Sequence, residues 1–266
     1  MKRLHLFEIE DQTWCPGVVR ESITDFLFSL YKLLNLFEPA YQKIEELIIK
    51  NKATAIIDCC SGSGGPIIQL RDYLNSIELH FISITLTDKF PNIKQFSNLE
   101  QQYSNIFGCR QSIDVCDIPP NITGIRCFFS SFHHFPPKDA IKILQNAVDN
   151  NTPIAIFEST QRHPTDMLRV FLCPILMLII IRFAKRLNWA KFLITYIIPI
   201  TPLVFMWDHL VSNLRTYSPL EFEQLIQQIH TPDYIWETGK LWSQKAKTNI
   251  TYLVGYPKSS DMEDRK

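Results

Sequence analysis

The sequence lacks an excess of either charge: 27 Lys and Arg stand against 27 Asp and Glu in 266 residues, and the pI is near 7.0. With no basic field, nothing argues for a nucleic-acid partner. It also lacks a cysteine pattern. The seven cysteines, at 15, 59, 60, 109, 116, 127 and 173, are odd in number and scattered. Neither a disulfide framework nor metal-ligand spacing results, so a reduced, cytoplasmic interior and no metal are expected. The opening stretch MKRLHLFEIEDQTW has basic residues but no apolar core of a secretory signal. No apolar run reaches the roughly 20 residues of a spanning helix. Finally, no Gly-Lys-Ser/Thr follows the glycines, which excludes a P-loop.

What is present is organised around residues 54–66, TAIIDCCSGSGGP. Ala55, Ile56 and Ile57 form a short apolar run ending at Asp58, the signature of a buried strand. Ser61, Gly62, Ser63, Gly64 and Gly65 make a small-residue loop, and Pro66 opens an apolar-periodic segment as proline does at a helix start. Glycines let backbone approach a ligand closely, and a helix start offers unpaired N–H groups.

The same alternation continues along the chain. Helices are predicted over 18–37, where Val19, Ile23, Phe26, Leu30, Leu33 and Phe37 recur at spacings of four and three, and over 39–50. Strands are predicted over 79–85, 111–115, 125–132 and 153–158, with helices over 93–103 and from 136 to 148 between them. After residue 215, Ser218-Pro219-Leu220-Glu221 reads as a capping box, and 234–237 and 250–256 as two closing strands. Strands alternating with helices at this spacing predict an α/β fold, a doubly wound and mostly parallel seven-stranded sheet. The predicted organisation is an N-terminal helical cap (1–50), a core (51–158), an apolar helical insertion after the fifth strand (159–214), a closing part of the core (215–258) and a charged tail (259–266).

The insertion breaks the pattern. Residues 171–181 and 192–207 are uncharged, and between them RFAKRLNWAK carries Arg182, Lys185, Arg186 and Lys191 beside Trp189. Runs of about 10 to 14 apolar residues suit buried or interfacial segments. Two readings follow: a peripheral or monotopic membrane contact through 168–207, or a helical cap over the site. Phe171, Leu172, Ile175, Phe192, Tyr196, Phe205 and Trp207 are candidates to line an apolar channel.

Asp58, Asp88 and Asp114 follow the ends of successive predicted strands, and ligands of open parallel sheets bind outside the carboxyl ends of the strands. Here the sequence resembles the class I S-adenosylmethionine-dependent methyltransferases, over about 54–158 plus the closing strands. Asp58 to Gly64 is similar to the family's acid followed by a Gly-x-Gly loop, with Cys60 where the family usually has glycine. The resemblance assigns Asp88 to the ribose hydroxyls. DVCDIP, from Asp114, is similar to a stretch near the adenine, and SFHHFP, from Ser131, to the family's fourth-strand ending. The cofactor it implies is S-adenosylmethionine, held by Asp58, Ser61, Gly62, Ser63, Gly64, Asp88, Asp114 and Ser131. Residues 14–25, beginning Trp-Cys-Pro, are similar to an N-terminal segment in one branch of that family. A dinucleotide is the poorer fit, because Ile67 stands where its fingerprint needs a third glycine.

These readings predict a methyltransferase for a small hydrophobic or lipid-like acceptor. Catalytic candidates are His133 and His134, as general bases toward a hydroxyl, and Glu158 at the fifth strand's end. Trp14, Arg20, Tyr196 and Trp207 are the candidates for holding the acceptor. A catalytically silent S-adenosylmethionine-binding scaffold at a membrane is the alternative.

Overall fold

The computed structural model describes residues 1–181 and 188–258. The chain enters through α1 (Gly17–Leu34) and α2 (Glu38–Asn51), then alternates β1 (Ala55–Cys59), α3 (Gly65–Ser76), β2 (Ser83–Thr87), α4 (Ile93–Gln102) and β3 (Ile106–Gly108). It continues through β4 (Ile125–Phe129), α5 (Pro137–Asp149) and β5 (Ile154–Glu158). The insertion supplies α6 (Pro164–Arg169), α7 (Cys173–Ile180), α8 (Trp189–Phe192) and α9 (Ile200–Arg215). α10 (Pro219–Ile226) and the hairpin β6 (Tyr234–Ser243) and β7 (Thr248–Pro257) complete the fold.

The strands form one seven-stranded sheet in the order β3-β2-β1-β4-β5-β7-β6. The first five run parallel, β7 joins β5 antiparallel, and β6 lies at the edge. This is the doubly wound, mostly parallel Rossmann-like sheet that the alternation predicts. Both faces are covered, which explains why β4 and β5 are buried along their whole length without alternation. Ile56, Ile84, Cys127 and Phe157 meet α2, α3 and α4 on one face, while Ile57, Phe128 and Ile156 meet α5 and α10 on the other. Strand order reverses between β1 and β4, so a crevice opens there at the carboxyl ends.

Several boundaries differ from the sequence reading. The expected strand over 111–115 is not a strand; β3 lies earlier, at Ile106–Gly108. Ile113 and Val115 alternate because they pack into the core from a loop. The second strand starts and ends later than 79–85, since Glu78 takes a left-handed φ of 64° and residues 79–81 are a turn. The closing strands run well beyond 234–237 and 250–256 toward each other, because ten-residue β6 and β7 pair along their length. Residues 1–16 of the N-terminal cap are a non-helical strap. The capping box at Ser218 forms as read, with reciprocal bonds to Glu221. Arg182, Lys185, Arg186 and the charged tail lie outside the described residues.

The insertion docks on α1. Met177, Ile180 and Phe205 are buried against Val19, Ile23 and Phe26. Lys191 joins this contact with its ammonium 2.7 Å from Asp25 and 3.3 Å from Glu21. Asp25 in turn accepts a hydrogen bond from Ser63 in the glycine loop at 3.4 Å. The Lys191 and Asp25 side chains are 7% and 6% exposed, so removing either partner weakens the compensation of a buried charge. Lys191→Met or Asp25→Asn is therefore expected to destabilise the fold in urea unfolding, by up to about 3–5 kcal/mol. The double variant should lose clearly less than the sum of the two, and strict additivity would contradict the coupling.

Candidate functional site

The loop after β1 bends as sharply as its small residues allow. Cys60 takes a left-handed φ of 58°, so the turn expected to need glycine is made by a cysteine. Gly64 also has a positive φ, 73°, and a Cβ there would meet Leu99 at 2.9 Å. At Gly65 a Cβ would stand 3.1 Å from the Phe28 backbone, so this glycine lets α1 lie against the start of α3. Ser61 ties the loop to the sheet: its N–H donates to Thr87 O, and its Oγ donates to Asp58 O and accepts from Thr87 N. Ile67, where a dinucleotide fold would need glycine, is fully buried.

Three acids bound this loop. Asp58 is 3% exposed near the end of β1. Burial raises its carboxyl to about 7; hydrogen bonding to Ser61 opposes the rise and nearby Asp88 adds to it. A cation placed beside this buried acid would favour its ionised form. Asp88 follows β2 directly, because the strand runs to Thr87, and accepts from Gly62 N and Phe90 N at 2.8 Å each. Asp114 is exposed in the loop beyond β3, with Lys89 3.8 Å away.

The opposite wall is built on Glu158, fully buried at the end of β5. One of its oxygens accepts from the backbone N–H groups of Phe132 and His133, at 2.7 and 3.1 Å. This fixes the 3-10 turn Phe132–His134 after β4. The other oxygen accepts from His133 Nδ1 at 2.7 Å. With Nδ1 donating, Nε2 carries the lone pair, and it has no hydrogen-bond partner among the described residues. His134 stacks on His133 at 4.4 Å between ring centroids. Burial alone would lower His134, but Glu8, Asp11 and Glu10 outweigh it and raise it to about 10.

The N-terminal strap closes this wall. Glu8 is 2% exposed, with carboxylate oxygens 3.8 Å from His133 Nε2 and 3.1 Å from His134 Nδ1. Asp11 lies 2.9 Å from His134 and 2.8 Å from Arg215. Glu8 and Asp11 were not legible as site residues. Their partners are more than 100 positions away, and no local pattern marks them.

One cavity of about 1040 Å³ joins these parts. Asp58, Ser61, Gly62, Ser63, Asp88, Asp114, Ser131, His133 and His134 line it, together with Arg20 and, from the insertion, Leu172, Cys173, Leu176 and Phe205. Gly64 and Glu158 stand just behind the lining, supporting it. Arg20 spends its donors on the strap, at Glu10 O and Gln12 O, with its guanidinium 4.5 Å from the Phe90 ring centre. Trp14, Tyr196 and Trp207 are not among the lining residues. Trp14 is 65% exposed; Tyr196 bonds Leu178 O, and Trp207 bonds Phe7 O. Of the expected apolar channel, Leu172 and Phe205 reach the cavity. Phe171 and Ile175 face outward instead.

No protein-family model matches the chain, and no curated protein matches it in sequence. In structure it is similar to an O-methyltransferase family protein from Burkholderia thailandensis (TM-score 0.47, 12% identity, 86% of this chain and 58% of that one). It is also similar to human N-acetylserotonin methyltransferase solved with SAM (TM-score 0.49, 11% identity, 90% of this chain and 56% of that one). A third is NcsB1, an O-methyltransferase from neocarzinostatin biosynthesis (TM-score 0.43, 13% identity, 75% of this chain and 48% of that one). The chain thus spans less than two thirds of the length of each.

The raised Asp58 carboxyl has a testable sign. Its folded value, about 7, lies above the ordinary 3.8, so the wild type loses stability relative to a neutral residue as pH rises through that interval, and the loss is complete above it. Asp58→Asn should therefore raise Tm at pH 8 and leave it nearly unchanged at pH 4. A larger effect at pH 4 would contradict the assignment.

Proposed function

We propose that the chain is an S-adenosylmethionine-dependent methyltransferase whose acceptor is hydrophobic or amphipathic, in the class of lipids. The observation that carries this reading is one shared cavity: a glycine loop and buried acid suited to a cationic nucleoside cofactor open into the same space as Leu172, Leu176 and Phe205 of the insertion, beside its polar Asp166, Arg169 and His209.

The residues present fit the cofactor. Asp58 awaits a positive charge, Asp88 stands at the carboxyl end of β2 where ribose hydroxyls are bound in such sheets, and the buried Ser131 Oγ lacks a partner among the described residues. Asp114 at the rim would face the adenine. When bound, the cofactor supplies an electrophilic sulfonium methyl group. The chain's own tasks are to align the acceptor and exclude water. Toward a hydroxyl acceptor, His133 takes up the proton at Nε2 while Glu158 holds Nδ1. His134 is held among Glu8 and Asp11, which suits it to shape the site more than to accept a proton.

The acceptor class is read from the insertion. Its inner side is buried on α1, while Phe171, Leu172, Ile175, Ile179, Trp189, Ile197, Ile198, Ile200 and Leu203 remain exposed on the outer side. Leu172 and Leu176 belong to both the exposed side and the cavity lining. An apolar acceptor could pass from a bilayer surface to the cavity along them. No single helix among the described residues is long and apolar enough to cross a membrane, while the pair Trp189–Ile197 and Ile200–Arg215, bent by 72°, has the length and composition of a broken span or re-entrant loop; the contact proposed here is peripheral or monotopic.

The test is transfer of labelled methyl from S-adenosylmethionine into total lipid extract presented as vesicles. Label should enter the organic phase, and His133→Ala should reduce it by about 10²–10⁴-fold. Phe171→Glu with Ile175→Glu, outside the cavity, should abolish flotation with vesicles and reduce labelling without altering cofactor affinity. A protein that neither floats nor labels any lipid would remove the lipid-like acceptor.

A further inference from the structure

Beyond the methyl-transfer reading, we propose that Glu8, His133 and His134 form a binding site for a divalent cation of the zinc class. Glu8 Oε, His133 Nε2 and His134 Nδ1 all lie within 4.8 Å of one another. Ligands of a tetrahedral zinc stand about 3.3 Å apart, given metal–ligand distances near 2.0 Å. The Glu8 carboxylate faces both rings, Oε2 3.1 Å from His134 Nδ1 and Oε1 3.8 Å from His133 Nε2, distances of the order of that spacing. Two imidazoles and a carboxylate are a donor set zinc takes readily, with a fourth position left open.

A second, independent observation points to a ligand. His133 is 3% exposed, yet its Nε2 has no hydrogen-bond partner among the described residues and faces the Glu8 carboxylate. His134 Nδ1 stands 2.9 Å from Asp11 and 3.1 Å from Glu8. Behind His133, the bond from Nδ1 to Glu158 at 2.7 Å is the outer carboxylate contact that fixes the ring of a metal-bound histidine.

The surroundings are rich in carboxylates: Glu8, Asp11 and Glu158 stand beside the two imidazoles, with Arg215 3.4 Å from Glu8 and 2.8 Å from Asp11. Asp208, bonded to the backbone of Ile9 and Glu10, anchors the strap that carries Glu8. The ligands come from positions 8, 133 and 134, which is why no metal-ligand spacing shows in the sequence.

One consequence rests on the proposed function. His133 Nε2 cannot ligate a cation and accept a proton at once, so zinc should inhibit methyl transfer and chelation should restore it. The binding itself is tested without the cofactor. The full chain, stripped with chelator, is titrated with Co²⁺ and read by its visible absorption, and dialysed against Zn²⁺ and assayed for bound metal. One metal per chain is expected, with intense tetrahedral Co²⁺ bands. Affinity should fall at least about 100-fold in Glu8→Gln and in His134→Asn, and about 10–100-fold in Glu158→Gln. Circular dichroism and Tm identify variants that keep the fold. Substoichiometric metal in the wild type, or wild-type affinity in folded Glu8→Gln and His134→Asn, would overturn the proposal. Metal binding without any S-adenosylmethionine binding would instead leave the site standing and remove the methyltransferase reading.

Discussion

Burying the Asp58 carboxylate at the end of the central strand imposes a desolvation cost, which the cationic cofactor of the proposed function would offset. The side chain sits where strand order reverses, beneath a loop tied to β2 through Ser61 and Thr87. Because the loop is fixed to both strands, Asp88 is brought to Gly62 N, and the two acids bound the same crevice. Everything farther out depends on this floor. α1 lies on it through Gly65, and the insertion lies on α1 through Phe205 and Lys191.

The facing wall follows the same principle of a buried carboxylate with defined work. Glu158 holds the turn after β4 through two backbone bonds and the His133 ring through a third. Its position at the end of β5 makes the turn's geometry a property of the sheet. The strap over the two histidines is different in kind, being irregular backbone clamped by side chains. Arg215 bonds Leu6 O and the Asp11 carboxylate, and Asp208 accepts from Ile9 and Glu10.

The sheet was legible because its strands are short, apolar and separated by helices with strong start signals such as Ser218-Pro219-Leu220-Glu221. Asp58, Asp88 and the loop between them were legible for the same reason, since ligands of such sheets gather at strand ends. The expected strand over 111–115 was a period-two pattern produced by loop residues packing inward, which alternation alone cannot separate from a strand. Glu8 and Asp11 were hidden because their role exists only once the strap crosses the fourth strand's end. Trp14, Tyr196 and Trp207 were read by residue type, and type does not tell which side of a helix or turn faces a cavity. The apolar runs of the insertion concealed a division that the fold makes plain: one side buried on α1, the other exposed.

In the proposed function the glycine loop acts with Asp58 as a receptor for a cationic cofactor; with the insertion it lines one larger, partly apolar cavity. Calorimetry with S-adenosylmethionine near pH 6.5, in two buffers of different ionisation enthalpy, tests that account most directly. The account predicts one site per chain and release of protons as the bound cation draws the proton from Asp58, with that release absent in Asp58→Asn. No binding at millimolar S-adenosylmethionine, or binding with no buffer dependence in the wild type, would contradict it.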